Sequence, residues 1–181
     1  GAAMGGATAT SALGGVAGAI GALIGAIGLF GIVKESVSLA AEAEMIETQF
    51  STMLGSAERG AQMTRDLLRF AADTPLAFGD TTQAARTLLQ FGVGGADIIT
   101  MLTRLGDTTG GEADRFQRMA MAFGKVSAQG KLTGAQLRSM TIAGFNPLME
   151  MARTSGRSVG DLTQQMSRGG ISADMVAEAF R

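Results

Sequence analysis

An all-α protein, built of short helices behind an apolar Gly/Ala-rich helix, is what this sequence predicts, and three observations carry that prediction. Large apolar residues recur at intervals of three and four along most of the chain, and nowhere in sustained alternation. Pairs such as Gly55-Ser56, Gly94-Gly95, Gly110-Gly111 and Gln129-Gly130 interrupt that rhythm. Side chains able to cap a helix stand directly before several of the apolar runs.

Three regions follow from the composition: 1–33, 34–55 and 56–181. Residues 1–33 hold no charged side chain, and between Leu13 and Val33 lie ten large aliphatic or Phe residues and seven glycines. As a helix these residues rise about 32 Å, enough to cross a bilayer core. A signal peptide is the competing reading, but no basic leader precedes the segment. Gly14, Gly18, Gly21, Gly25 and Gly28 alternate spacings of four and three, so they form a bare seam along one side of such a helix. Seven glycines cost a helix in water roughly 7 kcal/mol relative to Ala. Close helix contact through the seam, or a lipid environment that favours small faces, would offset that cost. The alternative is a flexible Gly/Ala tether.

From Lys34 to about Leu54 the chain reads as an acidic amphipathic helix. Leu39, Ala43, Ile46, Phe50 and Met53 form its stripe, with Glu35, Glu42, Glu44 and Glu47 elsewhere. Its heptad-like run is too short for a coiled-coil assignment.

Beyond Gly55 a helix is expected over 57–72, ended by Pro75, which lacks an N–H and disfavours the α conformation at Thr74. Asp80 or Thr81, with Gln83 at capping-box spacing, is the expected start of the next helix. Ala84, Leu88 and Phe91 supply its apolar stripe, flanked by Ala85 and Leu89, and Gly92 its left-handed stop. Further helices are predicted near 96–108 and over 112–128, the latter with Phe116, Met119, Ala120 and Phe123 inward. Thr133 with Gln136 opens a short helix through Met140. Asn146-Pro147, Ser158 with Asp161, and Ser172 open the last three.

Composition excludes much chemistry. The chain has no Cys and no His, hence no Cys or His metal ligand, thiol nucleophile or His-based triad. Trp and Tyr, the common stacking platforms, are absent as well, and a net charge of −1 gives no general attraction to nucleic acid. Asp80, Asp97, Glu112, Asp161 and Asp174 stand at expected helix starts, where the helix dipole favours negative charge without any catalytic role. The run from Gly124 to Leu132 approaches a phosphate loop, but its glycine spacing is one residue too long and Leu132 replaces the magnesium-binding Ser/Thr. Ser127 between Lys125 and Lys131 reads as an ordinary turn rather than a nucleophile pair. Ser158–Arg181 could form a helix-turn-helix, yet Asp174 and Glu178 on its second helix would repel phosphate. Met119, Met121, Met140, Met149 and Met151 read as core filler, with an adaptable binding groove as the alternative. No catalytic, cofactor-binding or metal-binding residue is therefore assigned. The first residue is Gly and Arg181 ends a helical pattern, so the chain reads as a piece of something longer.

Taken in order, F-A-A-D-T-P-L-A-F, A-A-R-T-L-L-Q-F-G-V, L-G-D-T-T-G-G, F-G-K-V-S-A-Q-G-K-L-T-G-A-Q-L-R, G-F-N-P-L-M-E-M-A and G-I-S-A-D-M-V-A-E-A-F resemble the tape measure domain of phage tail proteins. The likeness covers about residues 45–181, and an apolar Gly/Ala-rich segment upstream is also similar to that family. The resemblance implies a long, mostly helical protein in the lumen of a phage or prophage-derived tail, whose length sets tail length. It implies tail-tube proteins, tail-tip proteins and tail assembly chaperones as partners, and contact with the host membrane during genome delivery. It brings no catalytic residue and no cofactor. Self-association is a further partner reading, and no specific nucleic-acid binding is expected. The long coiled coils that would do the measuring are absent from these residues, so this domain is expected to be an assembly or docking module. The alternative is a membrane-active, pore-forming or toxin-delivery protein in which residues 13–33 insert.

Overall fold

The computed structural model describes the backbone of residues 33–181 and the side chains from residue 41 onward. The apolar segment and its seam of Gly14, Gly18, Gly21, Gly25 and Gly28 lie outside the described residues. Among the described residues there are nine α-helices and no strand, as the apolar periodicity requires. They are α1 (Val33–Leu54), α2 (Ala57–Asp73), α3 (Phe78–Gln90), α4 (Ile98–Thr109), α5 (Ala113–Gln129), α6 (Gly134–Ile142), α7 (Pro147–Ser155), α8 (Val159–Ser167) and α9 (Ala173–Ala179), with a 3₁₀ turn at Gly95–Asp97. The chain divides into two compact units between Asp66 and Leu67, inside α2.

In the first unit α1 buries Ala43, Ile46 and Phe50, while Met53, expected on the same stripe, is exposed. Gly55 and Ser56 turn the chain, and the Ser56 hydroxyl accepts from the Arg59 N–H at 3.3 Å. The returning helix touches α1 at Gly60. A Cβ there would lie 2.1 Å from Ser51 Oγ, 2.5 Å from Ser51 N and 2.7 Å from its Cα. Backbone meets backbone at that point, so only hydrogen fits.

In the second unit α5 is the hub, packing on α3, α4, α6 and α9. Phe116, Met119, Ala120, Phe123 and Val126 form its inward face and are buried, as are Ala84, Ala85 and Leu88 of α3 and Leu102 and Leu105 of α4. Gly124 lies beneath the Phe91 ring, and a Cβ there would be 2.5 Å from Phe91 Cδ2. Phe91, on the α3 stripe, is half-buried by that contact.

The organisation around Pro75 follows expectation except at the start of α3. That helix begins at Phe78 with Ala77 as its cap residue and no side-chain cap bond. Leu76 and Phe78 are buried, and anchoring these two large side chains fixes the helix start ahead of Asp80. The Thr81 hydroxyl instead donates to the Phe78 carbonyl at 2.9 Å. Asp80 remains in the first turn, where its charge faces the positive end of the dipole. At the other end Gly92 (φ 85°) donates to Leu89 O and Val93 N donates to Leu88 O, both at 3.0 Å. This is a Schellman stop.

The predicted caps of the later helices form. Asn146 Oδ1 accepts from Leu148 N and Met149 N, with Pro147 at the first helical position. Ser158 and Ser172 accept from Asp161 N and Met175 N. Thr133 differs: its hydroxyl donates to Gln136 Oε1, so the two side chains bond each other rather than the free backbone N–H groups. Asn146→Ala leaves Leu148 N and Met149 N without their acceptor. It should lower unfolding free energy by about 1 kcal/mol in urea titration, and Asn146→Asp by a few tenths at most.

Long-range ties close the unit. Leu132 N donates to Ile171 O at 2.8 Å and Ala173 N to Gly130 O at 3.1 Å, making an antiparallel bridge between Lys131 and Ser172. Leu132 and Ile171 are both buried there. Phe180 packs edge-on against Phe123, with centroids 5.8 Å apart, and stacks on Phe145 at 4.4 Å. Arg104 donates to Ala177 O at 2.9 Å, and Arg115 Nε to Ala143 O at 3.0 Å. The second helix of the helix-turn-helix reading is thereby taken up in packing: α9 rests on α5 and α7 with Val176 and Ala179 buried.

Candidate docking groove

A helix with apolar residues on more than one side needs more than one neighbour, and α5 is such a helix. Opposite the Phe116–Phe123 face it carries Gln117, Arg118, Met121, Ala122 and Lys125. Their intervals of one, three, one and three residues place them along one strip of the helix. With Ser139 and Ile142 of α6 they line a groove of about 480 Å³. Met121 and Ile142 are 42% and 72% exposed, so this apolar floor has no protein cover among the described residues. The five-methionine set thus divides: Met119, Met140 and Met151 are core, whereas Met121 and Met149 are on the surface.

The rim is cationic. Arg118 and Lys125 have no ion-pair partner among the described residues. Gln117 is held in place by donating to the Asp80 carbonyl at 2.7 Å, which also ties α5 to the first turn of α3. No acidic residue lines the groove.

Elsewhere charge is used locally. Glu112 pairs with Arg115 at 3.8 Å, Glu178 with Arg181 at 2.6 Å, and Glu150 with Arg153, all three residues apart. The hydrogen bond from Arg153 holds the Glu150 carboxyl below the usual carboxylate range and raises the guanidinium in turn. Arg153 is exposed and Glu150 half-buried at the surface, where such a pair contributes little to stability.

A second recess of about 330 Å³ lies beside Pro75, between Phe70, Leu76 and Gly106, with Asp73 and Asp107 among its walls. Gly111 presses on the Pro75 ring from one side: a Cβ at Gly111 would lie 2.3 Å from Pro75 Cγ. The recess is a packing seam for the turn. Among the described residues no group of three or more Asp or Glu side chains is placed to hold a metal. The run from Gly124 that approaches a phosphate loop is α-helical as far as Gln129, with Gly124 buried, so its backbone N–H groups are already used. The two lysines flanking Ser127 go separate ways, Lys125 to the groove and Lys131 to the bridge with Ser172.

The described residues thus form an all-α packing unit with an open groove between α5 and α6. The tape measure protein family model matches residues 34–181. The chain belongs to that family, and is a structural protein of the phage tail. No curated protein and no solved structure matches the chain.

Proposed function

We propose that the chain is the assembly module of a tail tape measure protein, whose full polypeptide sets tail length and templates tail-tube assembly from within the lumen. The family match over residues 34–181 carries this reading. Helix lengths support the division of labour. The longest described helix, α1, has 22 residues and spans about 33 Å, and the helices after it are shorter still. Measuring then falls to other parts of the polypeptide, and tail-tube proteins, tail-tip proteins and assembly chaperones are the partners of the module.

Residues 13–33 assist genome delivery at the host membrane in this reading, supported by their uncharged, apolar sequence. Among the described residues no helix is long and apolar enough to cross a membrane. The pore-forming alternative draws on that same segment alone, and the family match favours the tail.

The module role is tested by placing a core-disrupting substitution, Phe116→Ala, in the full gene and imaging the tails. Fewer tails of unchanged length are expected. Normal numbers of tails with altered length would instead make these residues part of the ruler.

A further inference from the structure

We propose that the groove between α5 and α6 receives α1 of a second copy of this chain. Charge is segregated along the sequence in a way the net −1 conceals. Within α1, Lys34 stands against Glu35, Glu42, Glu44 and Glu47, a net of −3. Within α5 and α6 together, Arg115, Arg118, Lys125 and Arg138 stand against Asp114, a net of +3, of which Arg118 and Lys125 line the groove while Arg115 is paired with Glu112.

Each of the two surfaces also has an apolar centre. The buried side of α1 is occupied by Ala43, Ile46 and Phe50, while Ala41, Met45, Thr48 and Thr52 are exposed. Those four residues are four, three and four apart, so they form one strip. Met45 is 60% exposed and has the exposed Glu42 and Glu44 close by in sequence. An apolar knob flanked by carboxylates faces, across two copies, an apolar floor of Met121, Ala122 and Ile142 flanked by Arg118 and Lys125. This is the helix-in-groove mode of recognition, with rim charges choosing the partner.

Donor helix and acceptor groove are different surfaces, so two copies either exchange α1 reciprocally and close as a dimer or add head to tail, each leaving a fresh groove. Exposed rim charges are screened by salt, so the association weakens as ionic strength rises. The inference depends on the groove and on α1, not on the tail-length reading, and either can fail alone.

The chain has no cysteine, so single-cysteine variants report one contact each. Met45→Cys and Ile142→Cys lie on exposed side chains and should leave the helical circular dichroism unchanged. Mixed under mild oxidation, the two variants should give a mixed disulfide dimer about tenfold in excess of either homodimer. Adding Lys125→Glu to the Ile142→Cys chain should remove that excess, and adding Glu44→Lys to the other chain should restore it. Equal yields of mixed and like dimers would overturn the proposal. So would an excess indifferent to both charge reversals, or a double-cysteine chain that closes only on itself at every dilution.

Discussion

Phe116→Ala should lower the unfolding free energy of the unit spanning Leu67–Arg181 by about 3–5 kcal/mol. Phe116 is fully buried on the inward face of α5, and α5 touches four of the other helices in that unit. A cavity at the hub cannot be filled by moving one neighbour without uncovering another. Domains of this size have only about 5–15 kcal/mol in total, so the variant stands close to its unfolding threshold. Urea titration followed by far-ultraviolet circular dichroism reads the effect as a lowered midpoint with unchanged slope. A loss below about 1 kcal/mol would mean that α5 is not the element on which the unit is built.

Gly60→Ala gives the second large effect, and its sign is diagnostic. In a helix with open space, Gly→Ala stabilises by about 1 kcal/mol. At Gly60 the new methyl would lie within 2.7 Å of three atoms of Ser51, two of them backbone. Neither backbone atom can rotate away, so α1 and α2 must separate, at a cost of about 3 kcal/mol. Gly79, within α3, has open space within 4 Å of where a methyl would stand and serves as the control. Hydrogen exchange should show faster opening of α1 in Gly60→Ala, while Gly79→Ala stabilises α3. If Gly60→Ala behaved like Gly79→Ala, α1 and α2 would not cross backbone to backbone at this point.

These two glycines also show where sequence reasoning reaches and where it stops. The structure places both in helices, although Gly79 stands just ahead of the start the sequence predicts for α3, and nothing local marks Gly60 as the one pressed on Ser51. Local signals are legible: Gly92 as a helix stop, Pro75 as a break, and Asn146, Ser158 and Ser172 as caps all act within a few residues of themselves. The start of α3 departs from expectation because burial of Leu76 and Phe78, a tertiary effect, outweighs the capping preference of Asp80. Thr133 and Gln136 have capping-box spacing yet bond each other. The bridge between Lys131 and Ser172 joins residues far apart in sequence, with no periodicity to announce it.

The groove is half visible in the sequence. Met121 belongs to a methionine set for which core and binding surface are both open readings, and the structure places it on the surface. Ile142 falls beyond the expected end of its helix at Met140, whereas α6 runs on to include it. Lys125 reads only as part of an ordinary turn beside Ser127, and nothing in the sequence singles out Arg118. Only the approach of α6 to α5 turns those residues into the rim and floor of one site.

Tail length is the decisive quantity for a protein that templates a tube by its own length. In-frame deletion of whole helical turns from the full-length protein, outside residues 34–181, should shorten assembled tails in proportion. The expected slope is about 1.5 Å per residue removed where the deleted stretch is a single straight helix, read by electron microscopy. Tails of unchanged length across a series of such deletions would mean that this polypeptide does not set tail length.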